Sequence, residues 1–321
     1  MKKYRWLVIL IFLIFYGCGQ QQGSPGEVIS EVIAEVVTLE ETEEETDQPP
    51  FAFLFFGCTQ ANPATDYYGA TGILIGRAVE LAAISPTLAI FGGDSVNDGG
   101  DPYEWQLLWD AIGNGLDGIT TAAVAGNHDN HRLLVEQFDY PTWTPEAHGD
   151  GFFYSLDMGE VYFLMLDSNI MGAGRQVDVD WLRDTLSSER AQSARWRIAV
   201  MHHPMWPVIV SPRDAIRAET KRRYFLPLLE EYDVSLILCA HQHNYARTYF
   251  MSGDAVSEDD NGIVQIMVAT GGKDTYAIAD YEHIAVNADA PNYLLIVADG
   301  ESITITAYGR NKEAIDTFII Y

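Results

Sequence analysis

Four apolar stretches of this 321-residue chain stop at side chains suited to coordination chemistry. Leu88 to Gly92 runs into Gly93-Asp94, and Thr121 to Ala125 runs into Gly126-Asn127-His128-Asp129. Arg197 to Met201 leads to His202-His203-Pro204, and Val234 to Cys239 leads to His241-Gln242-His243. A core strand gains nothing by ending in imidazoles and carboxylates. Loops at strand ends, by contrast, are where a rigid sheet assembles a site. Nitrogen and oxygen donors delivered from several strands converge on metal. Taken singly, each has an ordinary explanation: Asp94 as a turn cap, Asn127 as a left-handed turn residue, His202 as a satisfied core histidine. His241 and His243, two apart, face the same way only on extended backbone. These explanations fail for all four strand ends in that order.

The elements that must position these residues alternate between strand and helix. Phe51 to Gly57 reads as the first strand, with Cys58 and Gln60 just beyond its tip. Gly72 to Ile84 reads as a helix, closed by Pro86. Asp101-Pro102 is a helix start, Asp as N-cap and Pro at the first helical position, leading into Tyr103 to Ile112. Phe152 to Leu156 and Val161 to Leu166 form an expected hairpin across Met158-Gly159. Short strands close the chain around Ile263 to Ala269, Tyr293 to Ala298, Ile303 to Tyr308 and Thr317 to Ile320. Lys221-Arg222-Arg223 reads as a solvated helix face, and Gly271-Gly272-Lys273 as a turn near the site.

The order of the four blocks, together with Ala240-His241-Gln242-His243-Asn244-Tyr245-Ala246-Arg247, resembles the calcineurin-like metallophosphoesterase superfamily, and within it the purple acid phosphatase-like branch. The resemblance covers nearly all of residues 51 to 310. It implies an α/β (α+β) fold, a four-layer α-β-β-α sandwich of two mixed sheets flanked by helices. It also implies two divalent or transition metal ions (zinc, iron or manganese) acting on a phosphate-ester substrate. Asp94 would bridge both ions, Asn127, His202 and His241 would complete one, and His243 would serve the other. His128 would stand over the substrate phosphate, with Asp129 orienting its ring. Two such ions acidify a bound water and neutralise phosphoryl oxygens, and a nearby imidazole stabilises charge or protonates the leaving oxygen.

The first block departs from that pattern. Where the family carries Asp and, two residues later, His, this chain has Cys58 and Gln60. The tyrosine that purple phosphatases place three residues after the bridging Asp is here Asn97. Three readings of Cys58 stay open: a thiolate ligand favouring zinc or iron, a bystander beside a weakened site, or a disulfide partner of Cys239. The enzyme reading therefore has an alternative, a catalytically weakened or inactive surface module with the same fold.

A net charge of -27 argues against a nucleic-acid partner, because a phosphate backbone needs a basic face. The first residues resemble an export signal: Lys2, Lys3 and Arg5, an apolar run from Trp6 to Tyr16, then Gly17-Cys18. Eleven apolar residues fall short of the roughly 20 that span a bilayer. The Phe15-Tyr16-Gly17-Cys18 ending resembles a bacterial lipoprotein site, with Cys18 as the lipidated residue. Residues 1–17 are thus expected to be a signal and 18–50 an acidic tether, with nine Asp/Glu, no Lys or Arg, and a Pro49-Pro50 end. Residues 51–321 form the phosphoesterase-like domain, itself acidic, with 37 acidic against 16 basic residues. The expected location is a periplasmic or cell-surface lipoprotein, touching membrane only through Cys18.

Overall fold

Phe51–Phe56 divides its side chains between two cores. Phe53 and Phe55 enter one and Leu54 and Phe56 the other, the period-two alternation of a strand buried on both faces. The computed structural model describes residues 49–61, 68–139, 153–169, 176–259, 261–271 and 273–321. The expected signal, Cys18 and all but the Pro49-Pro50 end of the tether lie outside them. Among the described residues no helix is long and apolar enough to cross a membrane.

Six strands make the first sheet, in the spatial order Ala314–Ile320, Ile303–Gly309, Asn292–Ala298, Phe51–Phe56, Leu88–Phe91 and Thr120–Ala123. The last three run parallel and the first three pair antiparallel, so the sheet is mixed. Seven strands make the second sheet: Ile284–Ala288, Tyr245–Thr248, Val264–Met267, Leu236–Cys239, Trp196–Met201, Val161–Leu166 and Tyr154–Met158. Its centre is parallel and its two edges antiparallel.

The sheets face each other across one core. Phe53 of the first meets Phe163 of the second edge-on, with ring centroids 5.0 Å apart. Such a pair adds about 0.5–1.5 kcal/mol beyond the area it buries. Outside the first sheet, Leu54 and Phe56 pack with Leu74 and Ile75 of helix Gly69–Leu81 and with Trp105 and Leu108 of helix Pro102–Ile112. Outside the second, Trp181 and Leu182 of helix Gln176–Leu186 pack with Leu228 and Leu229 of helix Leu226–Glu231. Helix, sheet, sheet, helix is the expected four-layer order.

Asp101 caps its helix as expected, accepting from the Tyr103 amide at 2.9 Å. The hairpin Tyr154–Met158 and Val161–Leu166 turns at Gly159, which has φ 63°. Two expectations change. The first helix spans Gly69–Leu81, not Gly72 to Ile84, because the chain at Ala82 is already extended (φ −67°, ψ 112°) ahead of Pro86. Lys221 is not on a solvated face: it is fully buried on helix Pro212–Tyr224, beside the equally buried Ala218.

Candidate metal centre

The parallel strands of both sheets deliver the site at their carboxyl ends. Backbone geometry there is unusual. Asp94 (φ 52°), His241 (φ 75°) and His243 (φ 49°) are left-handed non-glycine residues, each costing about 1–3 kcal/mol that the surrounding fold must hold. His241 and His243 therefore sit in a turn, not on extended backbone, and their rings meet different partners, Asp214 for the first and Gln60 and Asp274 for the second. Gly126 lets two strand ends meet: a Cβ there would stand 2.2 Å from Asp94 Oδ1.

Asp94 is the hub. Its Oδ1 accepts the His128 amide at 2.8 Å, and its Oδ2 lies 3.2 Å from His202 Nε2. His202 Nδ1 faces the Gly92 carbonyl at 2.8 Å, so Nδ1 carries the hydrogen and Nε2 presents a lone pair. That Nε2 is buried and not aligned for a hydrogen bond with the carboxylate, close as the two are. Burial opposes a charge on His202, but Asp94 outweighs it and raises the imidazole pKa. The carboxylate is correspondingly held well below the usual range: burial opposes this, and the nearby His202 outweighs it. Such a pair calls for a positive charge between its atoms.

His241 stands alongside, its ring centroid 5.1 Å from that of His202. Its Nε2 is held by Asp214 Oδ1 at 3.2 Å, which leaves Nδ1 buried without a partner. Cys58 Sγ, an Asp94 oxygen and a His202 nitrogen all lie within 4.8 Å of one another. Nitrogens of His202, His203 and His241 form a second such group, so the two groups meet at His202 and their donors fit a metal ion. Cys58 accepts the His241 amide at 3.2 Å. Burial, then the Asp94 charge, pushes its thiol pKa well up, so ligation would have to displace its proton. Both Cys58 and Cys239 are free, and the disulfide reading fails.

The remaining expected residues are distributed as follows. Asn127 is exposed and lines a cavity of about 370 Å³ with Arg213, Asp214, Arg217, His241 and Tyr276. His128 Nδ1 lies 2.7 Å from the Asn97 carbonyl oxygen. Asp129 does not orient that ring. Its oxygens accept the backbone amides of Asp94 (2.7 Å), Gly126 (2.8 Å) and Ser95 (3.1 Å), because a buried loop must satisfy its N–H groups. His243 Nδ1 faces the Asp274 carbonyl at 3.0 Å, its Nε2 meets Gln60 Nε2 at 3.1 Å, and its ring stacks on Tyr276. His203, unlike His202 and His241, has both ring nitrogens engaged, by Ser168 Oγ and Arg217 Nη1 at 3.0 Å each.

Two contributors escaped the sequence reading. Asp214 holds His241 and also accepts Gln242 Nε2 at 2.8 Å, yet in the sequence it is an ordinary acid in the first turn of a helix. Lys273 reaches Gln60 Oε1 at 3.2 Å and Asn97 Oδ1 at 3.1 Å.

The calcineurin-like phosphoesterase family model matches residues 52–245. Purple acid phosphatase 23 of Arabidopsis thaliana is 26% identical over 180 residues, covering 52% of this chain and 38% of that protein. The probable inactive purple acid phosphatase 9 of the same plant is 25% identical over 198 residues, 54% of this chain and 30% of that one. Among solved structures, purple acid phosphatase PPD1 from yellow lupin (Lupinus luteus) seeds superposes with a TM-score of 0.71 at 17% identity, covering 85% of this chain and 54% of its own. The chain spans little more than half the length of these relatives, or less. With the match running from the first strand through the His241–His243 turn, the chain belongs to the calcineurin-like phosphoesterase family.

Proposed function

We propose that this chain is a metal-dependent phosphoester hydrolase whose ion is held by Asp94, His202 and His241, with Asn127 and Cys58 beside them. The observation that carries this is the buried lone pair of His202 Nε2, set 3.2 Å from a carboxylate oxygen without hydrogen-bond alignment. The metal dependence of the family supports it. When bound, zinc, iron or manganese supplies an acidified water and neutralises phosphoryl oxygens. The protein's part is positioning. Asn97 fixes the His128 ring for the leaving oxygen. Arg213 and Arg217 line the adjoining cavity, and Arg217 is braced by His203, so positive charge faces an incoming phosphate.

Of the two ions implied by the family resemblance, the donors on the His202–His241 side have ligand atoms to spare. On the other side of Asp94 stand Gln60 and His243, and the amide and ring atoms there are already engaged. That side favours a second reading, a weakened or inactive binding module, as does the relative named as probably inactive. One experiment separates the two. Hydrolysis of bis(p-nitrophenyl) phosphate should stop on chelation and return with added Mn²⁺ or Zn²⁺, whereas no hydrolysis under any metal supports the module.

The location proposed is an exported lipoprotein, anchored at Cys18 and held off the membrane by the acidic segment 18–50. Cys18→Ala should move the protein from the detergent phase to the aqueous phase, and an unchanged partition would remove the anchor.

A further inference from the structure

We propose that the ammonium of Lys273 occupies the second metal ion's place, so that the site works with one ion and one fixed side-chain cation. This rests on the metal-centre reading above.

The bonding leaves a single orientation for each group. Lys273 is a donor only, so the oxygens of Gln60 and Asn97 must face it, at 3.2 and 3.1 Å. Gln60 therefore presents its NH2 to His243 Nε2, which accepts at 3.1 Å. His243 in turn carries its hydrogen on Nδ1, toward the Asp274 carbonyl. The lone pair of the last histidine in the motif is thereby capped by an amide. Both residues that depart from the family pattern on this side, Gln60 and Asn97, turn their oxygens to the same ammonium.

Lys273 is not a wandering surface side chain. Two residues earlier, the Gly271 amide donates to the Cys58 carbonyl at 2.6 Å, and the Gly57 amide donates to Thr270 Oγ1 at 3.0 Å. A Cβ on Gly271 would stand 2.3 Å from the Gln60 carbonyl oxygen, so only glycine allows this approach. The start of the Cys58–Gln60 segment is thus hydrogen-bonded to the segment that carries Lys273, and Gly271 lies close against its end.

Charge supports the same conclusion. The charge of Lys273 reaches His243 and opposes a further cation at that ring, where a second ion would have to bind. Two of the ammonium's three hydrogens are engaged by Gln60 and Asn97, and among the described residues the third has no partner and can serve a phosphoryl oxygen. Asn97 joins this cation to the reacting group, holding Lys273 with its side chain and His128 with its carbonyl.

Metal titration by calorimetry and elemental analysis tests this on the wild type, on Lys273→Met, and on the triple variant Cys58→Asp/Gln60→His/Lys273→Ala. The wild type should saturate at one equivalent per chain. Lys273→Met should keep that equivalent and its melting temperature while turnover of bis(p-nitrophenyl) phosphate falls about 10²-fold or more. The triple variant should gain a second equivalent. Two equivalents in an active wild type would overturn the proposal and leave the phosphoesterase reading intact, as would unchanged turnover in Lys273→Met. No bound metal in the wild type would overturn both.

Discussion

The ring of His128 is fixed by the carbonyl of Asn97, 2.7 Å from its Nδ1, and not by the carboxylate of Asp129 that follows it in the chain. The amide of Asn97 is itself held by Glu104 Oε2 at 2.8 Å and by Tyr68 Oη at 3.0 Å. The imidazole is therefore braced through backbone, against the N-terminal turn of helix Pro102–Ile112.

His128→Ala should lower turnover by about 10²–10⁴-fold, the usual worth of a positioned acid or base. Metal content should not change. Parallel loss of metal and activity, measured on the same preparation, would make His128 a ligand instead.

Asp129 has a different task. Its carboxylate gathers the amides of Asp94, Ser95 and Gly126, and so sets the two loops that carry the site. Asp129→Asn should cost about 1–3 kcal/mol of stability through lost charge-assisted bonds and weaken metal binding with it. A variant with normal melting temperature and metal affinity but low turnover would restore the ring-orienting role.

The strand ends could be read before the fold was known because their chemistry is local. Each apolar stretch and its polar tip lie within about ten residues of one another, and Phe51–Phe56 shows its two-sided burial as an unbroken apolar run. Helix Pro212–Tyr224 could not be read that way. Its buried positions include Asp214 and Lys221, so charged residues stand where a hydrophobic period would be sought. Lys273 was harder still. Its partners Gln60 and Asn97 are 213 and 176 residues away, and a Gly-Gly-Lys turn gives no hint of either. Nor does spacing reveal that His241 and His243 take left-handed conformations that send their rings to different neighbours.

Cys58→Asp tests what the thiol does. With a carboxylate in its place, metal preference should move from Zn²⁺ toward Mn²⁺, because oxygen is the harder donor. Reductant should leave the wild type unaffected, both thiols being free. Unchanged metal preference would put the side chain outside the centre.

The two sheets are also tied by Asp316, on the edge strand Ala314–Ile320 of the first, which accepts from Arg247 Nε at 2.6 Å and Tyr245 Oη at 2.7 Å. Burial opposes its charge, but these partners outweigh it and hold its pKa below the ordinary carboxylate value. A depressed folded pKa gives stability that is present above the unfolded pKa and lost as pH falls through the folded one. Asp316→Asn should therefore lower the melting temperature at pH 7, by the equivalent of about 1–3 kcal/mol, and the gap should close below about pH 4. A gap independent of pH would show that packing, not charge, is what the substitution removes.

The most direct measurement is hydrolysis of p-nitrophenyl phosphate and its bis-ester by Asp94→Asn protein, with metal content determined on the same sample. Asp94 is the carboxylate that faces His202 Nε2, so its loss should remove bound metal and cut turnover by about 10³-fold or more. Activity within about tenfold of wild type, with metal retained, would contradict a metal centre built on Asp94.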